Sequence, residues 1–184
     1  ENQMPEGRAR LYARIVDLYL ARQERHRKRE HLTTGQPIPP SWTPAETIRV
    51  LSGLARRSQE KGTEELGEFH EEDQRRCLWS VDELVEETRT VIQTGRFKDL
   101  KVDDAETLVQ FFLNPAGLLV APTAEQVQFA HLSFQEYLCA VDLYEEAKGS
   151  DDGVYRHAQD EIFPLFERPG WQEVGILFLC VCSE

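Results

Sequence analysis

Between Asn114 and Ser133 the hydrophobic pattern changes period twice, and this stretch limits the fold more than any other part of the chain. Gly117-Leu118-Leu119-Val120-Ala121 is a short apolar run, and Pro122-Thr123-Ala124-Glu125 is turn material. Gln126-Val127-Gln128-Phe129-Ala130-His131 then largely alternates polar with apolar side chains, as a half-buried strand does. Together these segments predict one β-hairpin.

On both sides of the hairpin the period is helical. From about Pro5 to Glu30, Leu11, Ile15, Leu18 and Tyr19 recur at helical spacing, and the stretch ends polar and basic. Thr33 to Pro40 holds Gly35, Pro37, Pro39 and Pro40 and is predicted as a loop. Thr43-Pro44-Ala45-Glu46 carries a capping box with proline at the first helical position. Its helix has the stripe Ile48, Leu51, Leu54 and Ala55, with Gly62 as the expected end. Residues 63–77 are acidic and less regular, with room for a short helix. Ser80-Val81-Asp82-Glu83 opens a helix that Gly95 stops, and Asp103-Asp104-Ala105-Glu106 opens one ending near Asn114-Pro115. After the hairpin, Ser133-Phe134-Gln135-Glu136 reads as a further capping box. Phe134, Tyr137, Leu138, Val141 and Tyr144 form the stripe of its helix, and Gly149-Ser150 closes it. Two more helices are predicted, over about 152–166 and 171–182. The fold class is therefore mainly α: a winged-helix-like helical domain with one β-hairpin wing, followed by additional helices.

Composition excludes some partners. The formal net charge of -12 argues against nucleic acid, whose phosphates are bound chiefly by Lys and Arg, and against anionic membrane surfaces. The apolar run from Val174 to Cys182 is too short to span a bilayer. Cys77, Cys139, Cys180 and Cys182 include no C-x-x-C pair, so no zinc or redox motif is present; reduced, buried thiols in an intracellular, cytoplasmic protein are expected. Helical periodicity starts almost at the first residue, and the chain stops just after an apolar run, so a longer parent protein is expected.

Motifs for independent catalysis are missing. The chain has no phosphate-cradling G-x-x-x-x-G-K-[ST] loop, no G-x-S-x-G and no H-E-x-x-H. His70-Glu71-Glu72 starts like a metal motif but lacks the second histidine, and reads as a solvated acidic turn. Leu78-Trp79-Ser80-Val81-Asp82-Glu83 loosely mimics a Mg²⁺-binding strand end, but a capping box accounts better for Ser80 and Glu83. His131 is the candidate that remains. It ends a predicted strand just before a predicted helix N-terminus, where free N–H groups and the positive end of the helix gather. An imidazole there can donate to an anion such as phosphate. The plainer alternative is a structural histidine at a strand end.

The run Phe129-x-His131-x-Ser133-Phe134-Gln135-Glu136-Tyr137-Leu138-x-Ala140 closely resembles the one that closes the winged-helix part of NACHT NTPases, signal-transducing ATPases related to the NOD-like immune receptors. Upstream, Pro5-x-x-Arg8-x-x-Leu11-Tyr12 resembles the family's helix after the nucleotide-binding module, and Gly117-Leu118-Leu119 its strand into the wing. The family usually has a small residue, often Ala, where this chain has Cys139. The resemblance spans about residues 5–147. It implies a winged-helix domain over 1–147, with 148–184 starting a C-terminal helical segment. By position it makes His131 a contact to the β-phosphate of ADP that helps hold a closed resting state. Phe134, Tyr137, Leu138 and Ala140 would be packing, and Glu136 a cap. It further implies ADP/ATP held mainly by a P-loop domain of the same protein, self-oligomerisation on activation, and a role in immunity or antiviral defence. The chain itself would not be catalytic, although its parent would be an ATPase. Two other readings are a helical interaction domain without ligand and a DNA-binding winged helix. The second is disfavoured because Asp103 to Leu113, the helix before the wing, has no Lys or Arg.

Overall fold

Ser80 and Glu83 start a helix just as their spacing predicts. The Ser80 hydroxyl accepts from the Glu83 N–H (3.1 Å), and the Glu83 carboxylate accepts from the Ser80 N–H (2.7 Å). This computed structural model describes residues 6–34, 42–64, 77–95, 97–113, 117–151 and 154–183. The elements are α1 (Glu6–Thr34), α2 (Pro44–Glu64), α3 (Val81–Thr94), α4 (Ala105–Leu113), β1 (Leu119–Thr123), β2 (Gln126–Phe129) and α5 (Leu132–Gly149). They are followed by α6 (Val154–His157), a π-helical stretch Ala158–Ile162, α7 (Phe163–Phe166) and α8 (Gln172–Cys182). The fold is mainly helical with one antiparallel hairpin, as predicted.

The predicted box at the start of α2 is also formed. Glu46 N–H donates to Thr43 Oγ1 (3.2 Å), while Thr43 Oγ1–H and N–H donate to the Glu46 carboxylate (2.8 and 3.2 Å). That carboxylate reaches further and accepts from the Asp99 N–H (3.0 Å), which ties the segment after α3 to α2.

Several expectations are corrected. Gly62 does not end α2, which runs to Glu64. A helical glycine costs roughly 1 kcal/mol relative to alanine. That cost is offset where Gln59 Nε2 donates to the Gly170 carbonyl (2.8 Å) and Trp171 Nε1 to Thr63 Oγ1 (3.2 Å), holding the last turns of α2. The helix before the wing starts earlier than Asp103. Lys101 precedes a 3₁₀ turn, Val102–Asp104, and the Asp104 carboxylate accepts from the Lys101 N–H (2.8 Å). α1 runs on to Thr34; the rest of the predicted loop, the acidic stretch 65–76 and His70-Glu71-Glu72 lie outside the described residues. The apolar stripe of α1 is also different. Leu11 and Leu18 are 56% and 60% exposed, whereas Ala9, Val16 and Leu20 are buried. The side that α1 turns to α5 and α8 carries Ala9, Val16 and Leu20, with Tyr12 and the predicted Ile15 and Tyr19 partly buried beside them.

The core is one cluster. α2 and α5 share the most extensive contact, with α8 on α5 and α1 across both α5 and α8. Leu51, Leu54 and Ala55 of α2 are fully buried, with Ile48 half-buried at the edge. Each such leucine contributes about 2 kcal/mol by leaving water. Trp79, Leu108, Phe112, Leu118 and Phe129 fill the space under the wing, and Trp171, Val174 and Leu177 continue the core toward α8. α5 is central. Every residue from Phe134 to Ala140 is buried, while Val141 and Tyr144 of its predicted stripe are only partly covered. A helix surrounded by neighbours needs no single stripe. All four cysteines are free thiols; Cys77, Cys139 and Cys180 are buried as expected, but Cys182 is exposed on the outer side of α8. No described helix is long and apolar enough to cross a membrane.

Candidate functional site

The wing delivers the chain to His131. β1 pairs with β2 through Leu119 opposite Phe129 and Val120 opposite Gln128, with an irregularity before Thr123 meets Gln126. Trp79 adds a short third rung, its N–H donating to the Val127 carbonyl (3.0 Å) and its carbonyl accepting from the Val127 N–H (2.7 Å). The Trp79 and Phe129 rings meet beneath the sheet at 6.4 Å. The Ala130 N–H then donates to the Leu118 carbonyl (2.8 Å), so pairing persists up to the residue before His131.

His131 has extended backbone (φ −137°, ψ 138°) and precedes the first residue of α5. Its carbonyl accepts from the N–H groups of Phe134 (3.1 Å) and Gln135 (3.4 Å), which sets the start of the helix. Its side chain caps nothing and is exposed. The ring stands edge-on to Phe134 at 5.4 Å, and Phe134 in turn packs against Tyr12 (6.1 Å) and Tyr19 (6.0 Å) of α1. The exposed imidazole is thus positioned by aromatic packing. Leu132 and Ser133 have no helical carbonyl one turn behind them, so their N–H groups face the same end of α5, where the helix dipole is positive.

The capping box predicted at Ser133 and Glu136 is not formed. A cap needs extended backbone at the capping residue, and Ser133 already lies within α5. Glu136 is consequently buried in the first turns rather than folded back as a cap. Phe134, Tyr137, Leu138 and Ala140 are buried packing residues, as the resemblance implies, and Cys139 sits with them. Desolvation pushes the Cys139 thiol well above its ordinary pKa, so it stays protonated and inert.

A separate groove lies elsewhere. It has a volume of about 700 Å³ and runs between α2, α3 and the far half of α5. Asp142, in its wall, is eleven residues beyond His131, or about 16 Å along the helix axis. Arg56 dominates this groove. It pairs with Glu60 (3.1 Å), Asp142 (3.5 Å) and Glu146, and Glu146 also meets His157 Nε2 of α6 (2.9 Å). Burial opposes the Arg56 charge, but the Glu146 carboxylate and its neighbours hold the guanidinium above its ordinary range. Burial raises the Asp142 carboxyl against the pull of Arg56. At Glu146 burial pushes upward too, yet hydrogen bonds from Arg56 and His157 leave the carboxyl lowered. Arg57 pairs across the groove with Glu87 (2.8 Å). These opposed charges satisfy one another and fasten α2, α5 and α6 together. Among the described residues no group of three or more His, Cys, Asp or Glu side chains could hold a metal ion. The Leu78–Glu83 segment is a bridge strand and a capping box.

One feature escaped the sequence reading. Gln135, Gln59 and Ser58 are fully buried polar side chains bonded to one another in the core. Glutamine is usually exposed, so nothing in the pattern singled these residues out.

A family model described as the winged helix-turn-helix domain C-terminal to NACHT matches residues 8–143. No curated protein and no solved structure matches the chain significantly.

Proposed function

The chain belongs to the family of winged helix-turn-helix domains that lie C-terminal to NACHT, and on that premise we propose that it is the nucleotide-sensing part of a NACHT-type signalling ATPase. The family's position implies a P-loop NACHT domain as its partner in the same protein. In this reading His131 contacts a phosphate of ADP and helps hold the inactive state.

The observation that carries the reading is the exposed, uncapping His131 side chain beside the first N–H groups of α5. The donor set suits a phosphate oxygen, an acceptor with negative charge: an imidazole N–H, the backbone N–H groups of Leu132 and Ser133, and the partly exposed Ser133 hydroxyl. It reads charge alone: neither the groove between α2, α3 and α5 nor the one between α3 and α4 is lined by His131, Leu132 or Ser133. The P-loop domain would therefore bind most of the nucleotide, and bound ADP would supply only charge for this chain to read.

The mechanism is a population shift. A contact made with ADP in the closed state and lost on exchange favours the closed state by its own differential energy, about 1.5–3 kcal/mol for a hydrogen bond to a charged group. Losing it changes the closed-to-open ratio roughly ten- to a hundredfold. Opening would then permit self-association, in a cytoplasmic protein of innate immunity or antiviral defence. DNA binding fits poorly, because the exposed side chains of α4 include Glu106, Thr107 and Gln110 and no cation. A plain interaction domain is favoured by one observation, the outward-facing Leu11 and Leu18 of α1 and Ile176 and Leu179 of α8.

The test uses the intact protein with its P-loop domain. His131→Ala is expected to speed release of a fluorescent ADP at least about tenfold while leaving the thermal midpoint nearly unchanged. Equal release rates in variant and parent would end the sensor reading and leave the interaction domain.

A further inference from the structure

A buried polar chain crosses the core from the first turn of α5 to the turn before α8. Ser58 Oγ donates to Gln135 Oε1 (2.9 Å), Gln135 Nε2 to Gln59 Oε1 (2.9 Å), and Gln59 Nε2 to the Gly170 carbonyl (2.8 Å). Ser58, Gln59 and Gln135 are at most 1% exposed, so water cannot replace a partner lost between them, whereas the last bond, to the Gly170 carbonyl, is part-buried. Both ends sit at special points of the backbone. Gln135 donates its own N–H to the His131 carbonyl (3.4 Å), and Gly170 has φ +85°, a conformation that favours glycine. Next to Gly170, Trp171 is buried and bonded to Thr63, and it opens α8 by accepting from the Gly175 N–H (3.0 Å).

We propose that this chain is a relay: the wing–helix junction at His131 and the docked C-terminal helices 154–183 open and close as one cooperative unit, coupled through Gln135, Gln59 and Gly170. Each amide both donates and accepts inside the chain. Removing one member leaves its neighbour's polar group buried without a partner, which costs far more than the bond itself contributes. The cheapest relief is for the stranded group to reach water, and that requires the other end to open. An apolar interface in the same place would let either end loosen alone.

The relay goes beyond the proposed function, because it makes no use of anything His131 binds. If the ADP reading is also correct, displacement of the C-terminal helices would be felt at the phosphate contact.

Native-state amide hydrogen exchange on the chain tests it from both ends. Gln135→Ala does not touch Gly170, yet it is expected to raise exchange at Trp171 and Gly175 at least about fivefold. Gly170→Ala strains the far turn and is expected to raise exchange at Phe134 and Gln135 to a similar degree. The hairpin amides of Val127 and Phe129 serve as reference and should change less than either end. Ser58→Ala, which removes one hydroxyl and keeps both amides, carries the same expectation at smaller size should Gln135→Ala not fold. Faster exchange only beside each substitution overturns the relay. An equal rise that includes the hairpin also overturns it, because that is loss of global stability rather than coupling. Nucleotide release plays no part in these measurements, so the relay and the ADP reading can fail separately.

Discussion

α3 and α5 begin with the same written signal and are held in opposite ways. Each has Ser-x-x-Glu where its pattern turns helical, Ser80 to Glu83 and Ser133 to Glu136. In α3 the signal is used: serine and glutamate close on the first turn, where the Ser80 hydroxyl takes the Glu83 N–H and the Glu83 carboxylate takes the Ser80 N–H. In α5 the helix starts before the serine. The position three residues after the cap, a carboxylate in α3, is there taken by Phe134, which folds down onto Tyr12 and Tyr19. α3 is thus fixed by its own polar side chains, α5 by aromatic packing from outside. The second arrangement leaves the end of the helix open, with His131 in front of it. The self-capped start of α3 keeps the carboxylates of Asp82 and Glu83 over the positive helix end, where they repel an anion; the first turn of α5 has no acid, so its N–H groups face a phosphate unopposed.

The sharpest break in that comparison is removal of the packing. Phe134→Ala is expected to destabilise the chain by about 3 kcal/mol, since it deletes a buried ring that α1 and His131 both lean on. Urea unfolding gives the number, and a loss below about 1 kcal/mol would show that α5 needs no aromatic anchor. α1 should loosen from α5 in the same variant, which limited proteolysis near Tyr19 would report.

A capped start should instead be sensitive to acid. In α2 the Glu46 carboxyl is held below its ordinary range first by the Asp99 N–H and then by the Thr43 hydroxyl and N–H, with burial opposing. A lowered folded-state pKa means stability that is fully present above the unfolded value and lost as pH falls through the folded one. The contribution of Glu46 should therefore fade below about pH 4.3. Glu46→Gln is expected to cost about 1 kcal/mol at pH 7 and to flatten this part of the acid limb. Parallel curves for parent and variant from pH 6 to 3 would contradict it. Glu83 shifts in the same direction through the Ser80 N–H, so the single variant is needed to assign the effect.

What could be read from the sequence follows the same divide. The starts of α2 and α3 were readable because a capping box is a local device whose donors and acceptors lie within four residues. The hairpin was readable because its period differs from that of its surroundings, and His131 was placed at the junction for that reason. The start of α5 was misread because Phe134 is drawn onto α1, a contact between residues more than a hundred positions apart. The stripe of α1 was half legible: Ile15 and Tyr19 pack on the core as expected, but Leu11 and Leu18 are exposed and the equally spaced Ala9 and Val16 are covered, because the neighbours α5 and α8 decide which face is buried. The relay through Gln59 and Gln135 has no periodic signature at all, because its meaning lies in which amides face each other across α2 and α5.

Giving α5 the cap that it lacks should sharpen the contrast. His131→Asp places a carboxylate at the capping position and at the positive helix end. It is expected to raise stability by about 0.5–1 kcal/mol. In the intact protein the same carboxylate would occupy the free N–H groups and repel phosphate, so ADP should leave faster than from the parent. Greater stability together with faster release separates the two roles of this position. If stability falls, the backbone at His131 is not a usable cap site, and the parallel with Ser80 fails.

The smallest effect is the one that the written signal would rank among the larger. Ser80→Ala removes a working cap and should cost about 1 kcal/mol. Ser133→Ala, the same change in the same four-residue signal, should stay within about 0.5 kcal/mol, because Ser133 lies inside α5 and caps nothing. Alanine is in addition the better helix former at that position. Measured side by side by urea unfolding, equal losses at the two serines would mean that α5 starts at Ser133 in solution. The N–H groups beside His131 would then be capped by the protein itself, and the site would lose the donors on which its reading depends.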